Sequence, residues 1–344
     1  VLPSPAPAGD QGGDGYRLPS PVLVEMVDAP PTPLVHIGPH DRWMLLLHQP
    51  NLPPITELAQ RELRLAGMRI NPRTNGPSRT RPYVGLELLR SADGKRIQIT
   101  GLPAEPRLGH VSWSHDGAHI RFTHSGPDGI ELWVAETASG KARRLTGPVL
   151  NLALGTTPLW LDNETLACTV VPEGRKPEPV PPEVPPGPVV QENLGTTSPN
   201  RTYQDLLKNR HDEALFEHYG TSRMALVGLD GTLKLIGPPE IVWDFTTAPG
   251  GSYIIVETLH RPWSYLVPAG RFPRRLEIRD RAGALVRLVA DLPLQESIPI
   301  AFGSVATGPR SLGWRNDTPA TATWVEALDG GDAGAEAEHR DRVY

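Results

Sequence analysis

The stretch Val111-Ser112-Trp113-Ser114-His115-Asp116-Gly117-Ala118-His119-Ile120-Arg121-Phe122-Thr123-His124-Ser125-Gly126-Pro127-Asp128-Gly129-Ile130-Glu131-Leu132-Trp133-Val134-Ala135-Glu136-Thr137-Ala138-Ser139-Gly140-Lys141-Ala142-Arg143-Arg144-Leu145-Thr146 decides the fold. His115-Asp116-Gly117, Gly126-Pro127-Asp128-Gly129 and Ser139-Gly140 supply residues that tolerate positive φ, or a proline pre-set for a turn, where an antiparallel meander reverses. Between the turns, Val111 and Trp113, Ile120 and Phe122, and Leu132 and Val134 recur at the period of two that a half-buried strand requires. The reading is a four-stranded antiparallel sheet with one apolar face. A single sheet of this size cannot bury that face, so it needs stacked neighbours, and one blade of a β-propeller answers the need.

The unit recurs. Strand-turn-strand signals return from Val35 to Leu47, from Leu159 to Cys168, from Trp243 to Val256 and from Leu312 to Thr318. Outer halves of blades recur from Met224 to Ile236 and from Arg275 to Leu288. The expectation is an all-β propeller of about five four-stranded blades, the last incomplete. An all-β sandwich is the alternative; recurrence in units, with tryptophan at matching places, favours the propeller.

Outside the strands, 39 prolines and 34 glycines indicate a loop-rich chain. Residues 1–14, from Val1 through Pro3, Pro5 and Pro7 to Gly12 and Gly13, read as a flexible leader, as left by removal of a targeting segment or by the design of an expressed fragment. Residues 15–344 read as the propeller domain, with two interruptions. A proline-rich loop spans 172–200, since proline cannot donate to a ladder. A helical insertion follows at 201–219, where Thr202 and Asp205 resemble a capping box and Tyr203, Leu206, Leu207, Leu215, Phe216 and Tyr219 fall at helical spacing. A second short helix is expected from Pro54 to Ala66, closed by Gly67.

Composition excludes several functions. The net charge of −5 and the scattered basic residues argue against a nucleic-acid surface, and no apolar run is long enough for a membrane span. Cys168, the lone cysteine, sits in a strand pattern as a small hydrophobe. No G-x-S-x-G elbow is present: Ser78, Ser222 and Ser252 have glycine two before but not two after. The histidines His36/His40/His48 and His110/His115/His119/His124 lie in strands and turns, not in a metal-ligand arrangement. No metal and no cofactor is expected, and the tripeptides at Asn163, Asn200 and Asn316 are explained by turn propensity.

Longer stretches carry a resemblance. Gly15-Tyr16-Arg17-Leu18-Pro19, Asp28-Ala29-Pro30-Pro31-Thr32-Pro33, Leu65-Ala66-Gly67-Met68-Arg69-Ile70 and Arg201-Thr202-Tyr203-Gln204-Asp205-Leu206-Leu207-Lys208 are among them. His260-Arg261-Pro262-Trp263-Ser264-Tyr265-Leu266-Val267-Pro268, Arg271-Phe272-Pro273, Asp291 to Ala301, Ser311 to Trp314 and Trp324 to Asp332 continue the set. Together, from about Gly15 to Tyr344, they resemble the N-terminal propeller part of the glutamyl endopeptidase group in the prolyl oligopeptidase family of serine peptidases. The resemblance implies a seven-bladed propeller that restricts access to a Ser-His-Asp site on a following α/β-hydrolase domain and admits peptides. It also implies cleavage after glutamate, and a chloroplast protein after loss of a transit peptide or a bacterial one. The stretch ending at Tyr344 stops before the propeller would close and before any hydrolase domain, so none of the family's triad is placed here. The expectation is a piece of a longer polypeptide, or a chain that a second chain completes.

An acidic side chain is best held by a guanidinium. The candidate substrate contacts are therefore Arg201 and Arg210 on the helical insertion, and Arg261 beside Trp263 and Tyr265. The alternative role for each arginine is to cap the insertion or brace a blade. Two functions stand: the gating and substrate-selecting part of a serine endopeptidase, or a stand-alone propeller serving as a binding scaffold.

Overall fold

Gly117 and Gly140 take φ of +72° and +66°, the left-handed values that the turns around them require. They close the antiparallel sheet Leu108–Trp113, His119–Gly126, Gly129–Glu136 and Ala142–Arg144, in chain order across the sheet. The computed structural model describes residues 18–182, 202–298 and 302–344. Before this blade comes another of the same order: Leu34–Ile37, Trp43–His48, Gly85–Arg90 and Arg96–Gln98. After it, two blades share one seven-stranded sheet: Leu159–Trp160, Thr165–Val170, Thr221–Gly228, Leu233–Thr247, Tyr253–Leu259, Arg274–Asp280 and Leu285–Leu292. Leu233–Thr247 serves both, pairing with Thr221–Gly228 and then with Tyr253–Leu259, so it is the fourth strand of the third blade and the first of the fourth. The fifth is three-stranded: Arg310–Trp314, Ala322–Ala327 and Asp341–Val343. The chain is an all-β, propeller-like fold.

Each pair of neighbouring blades shares a core. Leu45, Leu88, Ile120 and Phe122 fill the first interface; Leu132, Val134, Leu166 and Cys168 the second; Leu226, Ile236, Phe245 and Val256 the third; Ile255, Leu276 and Leu312 the fourth. Cys168 is fully buried, and burial pushes its thiol up to about 12. The first strands of successive blades also touch. Trp160 Nε1 donates to the Ser112 carbonyl at 3.4 Å, Thr247 Oγ1 to the Trp160 carbonyl at 2.9 Å, and Trp314 Nε1 to the Thr246 carbonyl at 3.2 Å. These contacts bring the first strands together as the inner wall, with the fourth strands outermost.

Three blades carry long insertions, all between their second and third strands: residues 49–84, 171–220 and 260–273. Equivalent positions in stacked blades project from one face, and there the insertions form a core of their own from Leu65, Ile70, Leu207, Phe216, Val267 and Phe272. Two expected helices are corrected. Within 201–219 the helix covers only Arg210–Gly220, capped by the Asn209 side chain, which accepts from the Asp212 N–H at 2.9 Å. Asp205 takes φ +58° and its carbonyl accepts from Gly67 N–H, which stops a helix from starting at Thr202 and docks the buried Leu207 from an irregular segment. From Pro54 to Ala66 the helix is a single turn, Ile55–Leu58. Leu63–Leu65 instead pairs with Met68–Asn71 through Ala66 and Gly67, whose φ of +52° and +84° make a two-residue hairpin turn. A further helix, Pro21–Asp28, precedes the first blade. The leader 1–14 and most of the proline-rich loop lie outside the described residues; its described part, from Pro172 to Pro182, forms no helix or strand.

Candidate functional site

The insertion face gathers most of the chemistry. On the helix Arg210–Gly220, Glu213 and Glu217 stand four residues apart on one side. Arg261, from the insertion of the fourth blade, reaches both: Nη1 lies 2.7 Å from Glu213 and Nε 2.7 Å from Glu217. Trp263 Nε1 donates to Glu217 at 2.8 Å, and Tyr265 OH donates to Glu213 at 2.6 Å. Hydrogen bonds to Glu217 and Glu213 raise the Arg261 guanidinium above its ordinary value. Burial and the bond to Glu213 push the Tyr265 phenol up to about 12. Arg261 lies 5.8 Å over the Trp263 ring, which packs edge-on against Phe216 at 5.3 Å. The structure thus brings together Arg261, Trp263 and Tyr265, expected from the sequence as substrate contacts, but against carboxylates of the chain's own helix. The carboxylates opposite were missed, although their i, i+4 spacing was legible. Arg210 is exposed at the start of the same helix, and no carboxylate pairs with it among the described residues. Arg201 lies outside the described residues.

A second network ties the other insertions together. Arg61 grips Glu178 with two hydrogen bonds of 3.0 and 2.6 Å, and Tyr219 OH donates to the same carboxylate. Arg69 Nε donates to Asp205 at 2.8 Å, and Ala269 N–H to the Ala66 carbonyl at 2.8 Å. Segments from three blades thus behave as one cap. Beside it, a chamber of about 460 Å³ with mixed polar and apolar walls opens between Gln60, Arg73, Pro77, Pro103, Arg107 and His124. Glu57, buried at its edge, pairs with Arg107 at 2.5 Å. A proline-walled groove of about 220 Å³, lined by Pro50, Pro53, Pro82 and Pro106, shares Glu57 and Arg107 with it.

His260 and Asp291 form a hydrogen bond of 2.8 Å, but Arg275 shares Asp291, and the nearby Ser264 hydroxyl donates to Glu296 at 2.5 Å. No serine hydroxyl bonds to His260 among the described residues, so no catalytic triad is assembled around this pair. No group of three or more potential metal ligands occurs among the described residues.

The chain is 40% identical over 343 residues to a probable chloroplastic glutamyl endopeptidase of Oryza sativa subsp. japonica. It is 40% identical over 344 residues to one of Arabidopsis thaliana. The chain is a relative of the glutamyl endopeptidases. Each match takes in 96% of the chain, so blades, insertions and clamp segments all fall within the relationship. The chain spans only 37% and 36% of the lengths of these two endopeptidases. Among solved structures, an acylaminoacyl peptidase of Pyrococcus horikoshii matches at TM-score 0.41 and 10% identity, over 88% of this chain and 36% of its own. A prolyl endopeptidase matches at TM-score 0.41 and 10% identity, over 87% and 32%. No protein-family model matches the chain. No helix among the described residues is long and apolar enough to cross a membrane.

Proposed function

We propose that the chain is the propeller part of a serine endopeptidase that cleaves peptides after glutamate, and that it selects and gates the peptides reaching a hydrolase domain carried elsewhere in the polypeptide or by a second chain. The observation that carries this reading is 40% identity to glutamyl endopeptidases across 96% of the chain. The chloroplast names of both relatives support a chloroplast location after removal of a transit peptide. Within this proposal the insertion face receives the peptide. Arg210, which pairs with no carboxylate among the described residues, offers a guanidinium, while Arg261, Trp263 and Tyr265 hold the helix that presents it; Arg201 precedes that helix in sequence. The experiment uses the full-length protein with matched peptides differing only in Glu or Gln at the cleaved position. The proposal expects hydrolysis of the Glu peptide, labelling by a serine-directed fluorophosphonate, and a higher KM for Arg261→Ala. Absence of both hydrolysis and labelling would return the chain to the alternative, a propeller that binds without catalysis.

A further inference from the structure

Glu178 meets its partners from a segment that little else holds. Lys176-Pro177-Glu178-Pro179-Val180-Pro181-Pro182 forms no helix or strand and makes no backbone hydrogen bond among the described residues. Proline supplies four of the seven residues, which keeps the segment extended and short of N–H groups. The hydrogen bonds that tie it down among the described residues all end on the Glu178 carboxylate: Arg61 gives two, at 3.0 and 2.6 Å, and Tyr219 OH gives a third. Val180, two residues on, is 84% exposed. The segment therefore lies on the insertion face as a bound peptide would, anchored through one acidic side chain.

The receiving side suits a carboxylate. Arg61 presents a bidentate fork. Burial and the bond to Glu178 push the Tyr219 phenol up to about 12, so it keeps the proton it donates. Arg175 lies 5.6 Å over the Tyr219 ring and donates from Nη1 to Asn75 at 2.7 Å. Arg61 has no other carboxylate, and Arg175 has none, among the described residues. Without Glu178, the same three donors and two positive charges remain. The Arg61 side chain is 60% exposed, so a ligand in solvent reaches it. Glu213 and Glu217 differ in this respect: they ride on a helix whose Phe216 is packed in the core of the cap, and they cannot leave Arg261 without unpacking it.

We propose that Arg61 and Tyr219 form a carboxylate subsite of the insertion face that takes a glutamyl side chain of an extended peptide, and that Glu178 occupies it as the chain's own surrogate until a peptide displaces it. This rests on the peptidase reading and adds to it a second place for an acidic side chain. Arg210 and Tyr219 stand near opposite ends of one helix, about 14 Å apart along its axis. A partly exposed ion pair is a weak hold, while the tether keeps Glu178 at high local concentration, so displacement is a competition.

The test uses the full-length protein, treated with a serine-directed fluorophosphonate so that no turnover occurs. The probe is a fluorescent hexapeptide copying Lys176 to Pro181, together with a counterpart carrying Gln in place of the glutamate. Binding is read by anisotropy. Glu178→Gln removes the competitor and is expected to bind the Glu peptide at least about tenfold more tightly than the wild type does. That variant should prefer Glu over Gln by about tenfold, and adding Arg61→Met should abolish the preference. Tyr219→Phe in the same background should keep part of it. With untreated protein and a cleavable glutamyl peptide, Glu178→Gln should lower KM. An affinity that does not rise in Glu178→Gln overturns the proposal, and so does a Glu preference that survives Arg61→Met. A melting temperature that falls in Glu178→Gln with no gain in peptide affinity marks the ion pair as a brace alone and overturns it too. Loss of the peptidase reading shows up separately, as absent cleavage and absent serine labelling, since the binding preference is measured without turnover.

Discussion

Glu213 and Glu217 decide what Arg261 does in the free protein. A guanidinium that is already shared by two carboxylates, with an indole and a phenol donating to the same oxygens, is a latch holding helix Arg210–Gly220 against the fourth blade. Arg261 is more than half exposed, so solvent screens much of the ion pairing. The double change Glu213→Gln and Glu217→Gln is expected to destabilise the protein by roughly 1 kcal/mol, since charged acceptors are exchanged for neutral ones while packing around Phe216 persists. Thermal melting checks this, and an unchanged midpoint would show that the apolar contacts alone hold the helix. At this scale the sequence was partly legible. Arg261, Trp263 and Tyr265 stand out as a cluster in the chain, whereas their partners lie some fifty residues away, and nothing local marks Glu213 as the one that meets Tyr265.

Among the elements, turn chemistry carried furthest. Gly117, Gly140 and the Pro127-Asp128-Gly129 corner each dictate a reversal by backbone geometry alone, so the strands of the second blade follow from them. Helical spacing misled where long-range pairing outweighed it. Leu63 and Leu65 turn back on Met68–Asn71, and Asp205 is held in a left-handed conformation with its carboxylate on Arg69, neither of which a local window reveals. The long strand Leu233–Thr247 holds a testable tension. Asp244 lies directly across from Glu257 on Tyr253–Leu259, and both carboxyls are raised, Asp244 by burial, and Glu257 by burial with Asp244 adding to it while Arg274 opposes. A carboxyl raised in the folded state stabilises the fold when protonated, and that contribution is lost as pH rises through its folded value. At pH 8 both charges therefore work against the strand pair. Asp244→Asn is expected to raise the melting temperature at pH 8, with the gain shrinking as pH falls into the ordinary carboxylate range. A gain independent of pH would remove electrostatics as the cause.

Across the whole molecule, the repeat explains how separate insertions become one surface. Blades stacked through shared cores put equivalent loops on one face, so segments from the first, third and fourth blades meet there without being close in sequence. Tryptophans at the ends of first strands tie the inner wall, with Trp160 and Trp314 each bonding to the preceding blade. That recurrence was visible in the chain, and it separates a propeller from a sandwich because only a ring of blades needs the same inward contact at every step. Arg61–Glu178, Arg69–Asp205 and the Arg261 latch join the insertions of three blades into one cap, and the proposed gate would exclude folded proteins while passing extended chain. The most direct measurement is mass-spectrometric mapping of cuts made by the full-length protein in one substrate protein, presented folded and then permanently unfolded by reduction and alkylation. The account predicts cuts after glutamate in the unfolded form and none in the folded form. Cuts spread over other residues, or equal cutting of the folded form, would contradict it.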